Sequence, residues 1–318
     1  MSLQLHGIHH VTAVSANIKK NYQFYTQIMG LRLVKRSVNQ DDVSAYHLFY
    51  SGDARGIPGN DLTFFDWDIP KEQRGSNSIT RIGLRVPTLE ALKFWRNWLV
   101  EHRITSNTIQ EIDNRPTLLF NDIEGQRFAL IVDESESNQH VAWEKSPIPA
   151  AYQIRGQGPI WLSVQHMRYL DAILSQVLHM RQVRQYTQKE NLQTFVYEMG
   201  PGGPAAELHV QEEPYLPPSQ LGAGAIHHVA FRTPNEEEYQ QWIEKIRSLR
   251  IPNSGPVDRF WFRSLYFREP NGILFEIATD DPGFAIDENP ETLGEKVVLP
   301  PFLEPKRAEI LANLKPID

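Results

Sequence analysis

The chain of 318 residues contains no cysteine. That absence excludes disulfides, thiolate nucleophiles, thiolate zinc sites and iron–sulfur clusters, so any metal must be held by His, Asp, Glu or Tyr. Long apolar runs are also missing: nothing approaches the roughly 18 residues of a membrane-spanning helix, and the N-terminal MSLQLHGIHHVTAVS has neither the basic start nor the apolar stretch of a signal peptide. The reading is a cytoplasmic protein that engages no membrane. Positive charge is in short supply, with 32 Lys and Arg against 39 Asp and Glu and a net charge of −7. A chain so charged has no field to attract a polyanion, so nucleic acid is not an expected partner and a small molecule is. What is present is 41% hydrophobic residues, enough for a large core, and 11 histidines.

One pattern of a strand, an amphipathic helix and three strands recurs four times. In the first copy GIHHVTAV reads as a strand, residues 17–29 as a helix, and LRLVKRSV, AYHLFYSG and DLTFFDW as strands, with Gly30 a helix stop. The second has TRIGLRV, a helix over 89–101 with Leu92, Trp95 and Leu99 on one stripe, then IQEID, TLLFND and RFALIVD. The third has PIWLSVQ, a helix near 170–180, and strands around Arg184, FVYEM and AELHV. The fourth has AIHHVAF, a helix over 236–249, then VDRFWF, RSLYFRE and GILFEIA. The expected division is an N-terminal half 1–133 with modules at 6–68 and 78–133, a polar linker 134–157, a C-terminal half 158–279 with modules at 158–212 and 224–279, and a tail 280–318 that packs or forms an interface. A module of this size is too small to bury both faces of its own sheet, so modules should pair.

Laid over one another, copies one and four share IHHV, carrying His9 and His10 in one and His227 and His228 in the other. Copies two and three put Arg81 and Trp161 where the second histidine would be. In the last strand of copy four, Glu276 interrupts an apolar run, where a carboxylate is costly unless paired or bound to a metal. Strand alternation sends neighbours to opposite faces, so one histidine of each pair should join Glu276, and alternation alone leaves open which. Two imidazoles and one carboxylate fill one face of an octahedron and suit non-haem Fe(II). The place in copy one that matches Glu276 is read as Phe65, which would leave the site without a fourth protein ligand. This assembly requires modules one and four to pair with each other, and two with three, against the pairing of sequential neighbours. The expected fold is α+β, four βαβββ modules forming two curved open-barrel sheets, with the metal site on modules one and four. Glu207 and His209 in AELHV lie near the matching place of copy three, where Trp161 replaces the histidine, and read as a vestige or as structure.

Four such copies resemble the vicinal oxygen chelate superfamily of glyoxalase I, bleomycin-resistance proteins and type I extradiol dioxygenases. More narrowly, GIHHVTAVSANIKKNYQFYTQIMGLRLVKRSVNQDD, DRFWFRSLYFREPNGILFEIATDDPGF and the LGEKVVLPPFLEPKR tail are similar to the hydroquinone-type ring-cleaving dioxygenases, those related to 2,6-dichlorohydroquinone and methylhydroquinone dioxygenases. The resemblance implies the second histidine of each pair, hence His10, His228 and Glu276, as ligands of Fe(II), with Mn(II) the alternative. It also implies Arg259 at a substrate oxygen. Tyr266 is read as a proton or hydrogen-bond donor near the metal, Thr12 as sharing the inward face with His10, and His9 and His227 as weaker members that need strand twist to approach the site. The implied partners are a small aromatic substrate and O2, with a homo-oligomer compatible. Ring cleavage of a para-dihydroxylated substrate is the function expected; its rivals are catechol extradiol cleavage, a glyoxalase-like metal isomerase and a non-catalytic binding protein on the same scaffold.

Overall fold

The computed structural model describes residues 3–135, 140–187 and 192–318. Residues 136–139 of the expected linker, and 188–191, lie outside the described residues. Module one consists of β1 (Ile8–Ser15), α1 (Ile18–Gln23) continued by a π-helical turn at Phe24–Ile28, β2 (Arg32–Asn39), β3 (Asp42–Ser51) and β4 (Asp61–Asp66). Module two has β5 (Ser78–Val86), α2 (Leu89–Glu101), β6 (Gln110–Ile112), β7 (Arg115–Asn121) and β8 (Arg127–Val132). Module three has β9 (Gln157–Val164), α3 (Met167–Ala172) with its own π-helical turn at Ile173–Val177, β10 (Arg181–Thr187), β11 (Gln193–Glu198) and β12 (Glu207–Glu212). Module four has β13 (Ile226–Thr233), α4 (Glu236–Ser248), β14 (Asn253–Asp258), β15 (Arg263–Arg268) and β16 (Leu274–Thr279), and the tail carries α5 (Arg307–Asn313). Three expected elements change: the helices of modules one and three are half α and half π, and the strand expected through VDRFWF stops at Asp258. There the Asp258 carboxylate accepts the Phe260 N–H and Phe260 adopts φ 72°, so the chain turns.

Local chemistry accounts for the helices. Thr88 accepts the Ala91 N–H and Asn235 the Glu238 N–H, each satisfying a free donor at a helix start. Helix α4 has Glu236, Glu237 and Glu238 in its first turn and Lys245 and Arg247 in its last, matching the helix dipole. Its Tyr239, Trp242, Ile243 and Ile246 recur at helical spacing and are buried against the sheet.

The strands form two eight-stranded sheets, ordered β14-β15-β16-β13-β1-β4-β3-β2 and β10-β11-β12-β9-β5-β8-β7-β6. Modules one and four therefore share one sheet and modules two and three the other. Inside each module the helix carries the chain across so that first and last strands run parallel, as β1 with β4 and β13 with β16. Modules meet antiparallel, β1 against β13 and β5 against β9. A single apolar core containing Trp95, Phe128, Tyr25 and Trp242 spans both sheets. The tail straps module one: the buried Lys35 ammonium meets Asp287 at 2.8 Å and also Glu288, and the Val298 N–H donates to the Arg36 carbonyl at 2.9 Å. Among the described residues no helix is long and apolar enough to cross a membrane.

Candidate metal centre

The junction of β1 and β13 contains two register breaks. His10 pairs with Ala230, Val11 with Val229 and Thr12 with His228, but the pairs on either side, Ile8 with Phe231 and Ala13 with Ile226, are displaced by one. The surplus residues are His9 on β1 and His227 on β13. Each is a β-bulge, which re-aims side chains beside the break. Bulging, rather than the expected strand twist, thus lets consecutive histidines both serve one centre.

His10, His228 and Glu276 converge in the sheet, with His10 Nε2 and His228 Nε2 3.3 Å apart and Glu276 Oε2 at 3.2 and 3.0 Å from them. Bonds of about 2.1 Å from a first-row divalent metal give an octahedral face edges of about 3 Å, which these spacings match. The hydrogen-bond network assigns the lone pairs. His9 Nε2 lies 3.0 Å from the Thr279 carbonyl oxygen, which can only accept, so the proton is on that nitrogen and His9 Nδ1 is an acceptor. His10 Nδ1, 2.9 Å away, then donates to it, leaving a lone pair on His10 Nε2. His227 Nδ1 and His228 Nδ1 repeat the contact at 2.8 Å. Glu276 Oε1 accepts from the Ser264 hydroxyl at 2.5 Å, while Oε2, fully buried, has no hydrogen-bond donor. A carboxylate oxygen without a donor, facing imidazole nitrogens, fits a cation, and the donor set of two nitrogens and one oxygen fits Fe(II).

The electrostatics agree. Burial alone would raise the Glu276 carboxyl, but positive charge and N–H donation at His10 and His228, for which a bound cation would substitute, hold it well below the usual carboxylate range. Burial lowers His228 despite Glu276. His9 and His227 are each pushed down to about 3, chiefly by burial and secondly by the adjoining His10 or His228. Neutral imidazoles are the form that binds metal.

Beside the triad, Thr12 Oγ1 lies 3.0 Å from His228 Nε2 and 2.7 Å from Thr63 Oγ1, and Thr63 reaches His47 Nε2 at 2.9 Å. Arg259 sits in the turn after β14 rather than on a strand. Its Nε donates to the Tyr266 hydroxyl at 3.3 Å and its Nη2 to Asp41 at 2.8 Å, from the tip of the β2–β3 hairpin. Burial and the Glu276 charge raise the Tyr266 phenol, so it is protonated at neutral pH. His10, His228, Arg259, Tyr266, His47 and Phe262 line a cavity of about 30 Å³, space for a couple of waters.

The register corrects two expected equivalences. Two residues beyond His228, Ala230 pairs with Glu276; two beyond His10, Thr12 pairs with Thr63. The fourth position is therefore Thr63, with Phe65 one step further along the same face. In module three the place of the second histidine falls on Pro159 rather than Trp161, because Trp161 pairs with Arg81 and His209 as Ala230 pairs with His10 and Glu276, and His209 therefore stands at the place of Glu276. Glu207 and His209 do cluster with Asp113 within ligand reach, but guanidinium groups already occupy the carboxylates: Arg115 grips Glu207 at 2.6 and 2.7 Å, and Arg184 reaches Asp113 at 2.5 Å and Glu207 at 2.9 Å. Ser264, Thr63 and Asp41 were not singled out in the sequence; the alternation of Ser264 with Tyr266 on RSLYFRE was the available signal for the first.

Two curled sheets of paired βαβββ modules with a histidine–histidine–glutamate centre define a class, and the chain belongs to the Glyoxalase/Bleomycin resistance protein/Dioxygenase superfamily, whose family model matches residues 7–109 and 157–277. Among its relatives is a Bacillus subtilis protein provisionally named ring-cleaving dioxygenase MhqA, 44% identical over 99% of this chain and 100% of the relative. Another is the chlorohydroquinone/hydroquinone 1,2-dioxygenase of Sphingobium indicum, 24% identical over 98% of this chain and 96% of the relative. A crystal structure of a Bacillus subtilis protein provisionally described as a dioxygenase superposes with TM-score 0.88, 31% identical, covering 100% of this chain and 99% of the other.

Proposed function

We propose that the chain is an Fe(II)-dependent ring-cleaving dioxygenase that inserts O2 into hydroquinone-type substrates, its metal held by His10, His228 and Glu276. The observation that carries the reading is Glu276 Oε2, buried without a donor and facing two imidazole nitrogens. The names of two full-length relatives supply the reaction class. Thr63 in place of a fourth carboxylate favours this reading over a four-ligand isomerase site. When bound, Fe(II) supplies the one-electron chemistry that lets O2 react with an electron-rich ring.

The protein's own groups have separate tasks. Arg259 stabilises a substrate oxygen as the anion through charge-assisted hydrogen bonds. To do so it exchanges the exposed Asp41 carboxylate for the substrate, which opens the small cavity under the β2–β3 tip. Tyr266, a neutral phenol beside Arg259, delivers a proton to oxygen as the ring opens. Phe49, Phe65, Phe262 and Trp261 wall the space with apolar surface that displaces water from around the ring. Ser264 and His9 hold Glu276 and His10 in orientation.

The test is anaerobic metal loading followed by oxygen-electrode assays with hydroquinone and catechol. Iron-loaded protein should consume O2 with hydroquinone faster than with catechol, and Mn(II) loading identifies the preferred metal. Glu276→Gln should lose bound metal and oxygen uptake together. Oxygen uptake at the wild-type rate in that variant overturns the ligand assignment, and an iron-loaded wild type inert toward hydroquinones overturns the reaction.

A further inference from the structure

The second sheet repeats the architecture of the first with different side chains at the matching places. Strand β5 also carries a register break between Ile79 and Arg81, so Arg81 follows a bulge as His10 does. Trp161 pairs with Arg81 on one side and His209 on the other, as Ala230 pairs with His10 and Glu276, and Gln211 lies two residues beyond His209 on the same strand. The places of His10, His228 and Glu276 are thus taken by Arg81, Pro159 and His209, so a guanidinium stands where the first imidazole ligand would be. Arg81, Trp161 and Gln211 together line a cavity of about 320 Å³, joined by Arg74, Arg127 and Leu119.

The charges in this cavity are unbalanced. Arg81 Nη1 donates to the Phe128 carbonyl at 3.2 Å, and among the described residues no carboxylate lies within ion-pair distance of Arg81 or Arg127. Arg74 is paired with Glu72 at 2.9 Å, and Glu213 on the wall accepts the Ser163 hydroxyl at 2.7 Å. Burial, followed by the charges of Arg127 and Arg74, pushes the Arg81 guanidinium down to about 10. Arg115 and Arg184 in the same sheet show the contrast, since both are clamped by Glu207 and Asp113. Two withdrawn guanidinium groups without a carboxylate in ion-pair contact among the described residues, in a chain of net charge −7, leave an anion's place open. Trp161 is 4% exposed, its Nε1–H donating to the Tyr186 hydroxyl at 3.1 Å, and with Leu119 it offers a flat apolar wall.

We propose that this cavity binds a small organic anion, a carboxylate carried on a planar unsaturated frame, with Arg81 and Arg127 on the carboxylate and Trp161 and Leu119 against the frame. The assignment does not depend on the ring-cleavage reading, since none of its residues touches the metal centre. The test is calorimetric titration of the metal-loaded full chain with benzoate, benzamide and inorganic sulfate at constant ionic strength. Benzoate should bind at least tenfold more tightly than neutral benzamide and more tightly than sulfate. Arg81→Gln and Arg127→Gln should each weaken benzoate at least tenfold while leaving hydroquinone-dependent oxygen uptake unchanged, and Glu276→Gln should leave benzoate affinity unchanged. Equal affinity for benzoate and benzamide overturns the proposal, as do sulfate binding as tight as benzoate, arginine variants that bind like wild type, or benzoate affinity lost with Glu276. The benzoate–benzamide comparison uses unmodified protein, so it decides even where an arginine variant does not fold.

Discussion

His9 touches no candidate ligand position itself, yet it determines which nitrogen of His10 carries a lone pair. Its Nε2–H is committed to the Thr279 carbonyl, so its Nδ1 must accept, and His10 must present Nε2 to the centre. His9→Ala should lower metal affinity about 10- to 100-fold without unfolding the chain. Asn at position 9, whose amide oxygen can accept from His10, should recover part of the loss; chelator competition with circular dichroism checks both. Tyr266 acts on a different quantity. Tyr266→Phe keeps the ring beside His228 and removes only the proton donor, so kcat should fall about 100-fold or more with metal content unchanged. A comparable fall in metal content would mean that the hydroxyl supports the ligands.

At the scale of elements, the hairpin joining β2 to β3 and the turn after β14 meet over the cavity, with Gln40 donating to the Arg259 carbonyl at 2.8 Å and Asp41 paired to the Arg259 side chain. The Asp41 side chain is 72% exposed, so the pair is worth at most about 1 kcal/mol. Asp41→Asn removes the competitor for Arg259, and KM for hydroquinone should drop by up to about fivefold; a rise in KM would show that Asp41 holds Arg259 in its working pose. This region also marks the limit of what the sequence made legible. The repeated IHHV and the intrusive Glu276 pointed to the residues that converge, because identical strands in paired modules must occupy related places. The bulges at His9 and His227 were hidden, since a bulge is a property of two strands in register and alternation within one strand carries no trace of it. The same blindness put Phe65 in the place of Thr63 and Trp161 in the place of Pro159. Likewise the apolar run VDRFWF reads as a strand until the Asp258 side chain captures the Phe260 amide and turns it.

Across the whole molecule, the two sheets are tied through polar as well as apolar contacts. The Tyr25 hydroxyl of module one donates to Asp122 of module two at 2.8 Å, and Asp122 also accepts the Glu124 and Gln126 N–H groups. Burial outweighs these hydrogen bonds and raises the Asp122 carboxyl from 3.8 to about 6. The native state therefore holds this proton more tightly than the unfolded chain, and the stability so gained is full below about pH 4 and lost as pH rises to about 6. Asp122→Asn mimics the protonated form, so wild type should lose stability relative to the variant between pH 4 and 6 and by a constant amount above 7. Denaturant midpoints across that range measure the difference; a gap that does not change with pH would show that Asp122 titrates normally.

The pairing of module one with module four also sets when during synthesis the centre can exist. His10 and His228 lie 218 positions apart, and His9 contacts a carbonyl 270 positions downstream. On the ribosome, β1 emerges long before the strand that completes it, and a nascent chain that stops before β13 carries one half of the histidine set and no Glu276. Such a chain cannot assemble the proposed ligand set, so the topology would withhold a metal from this centre until the final module has been made.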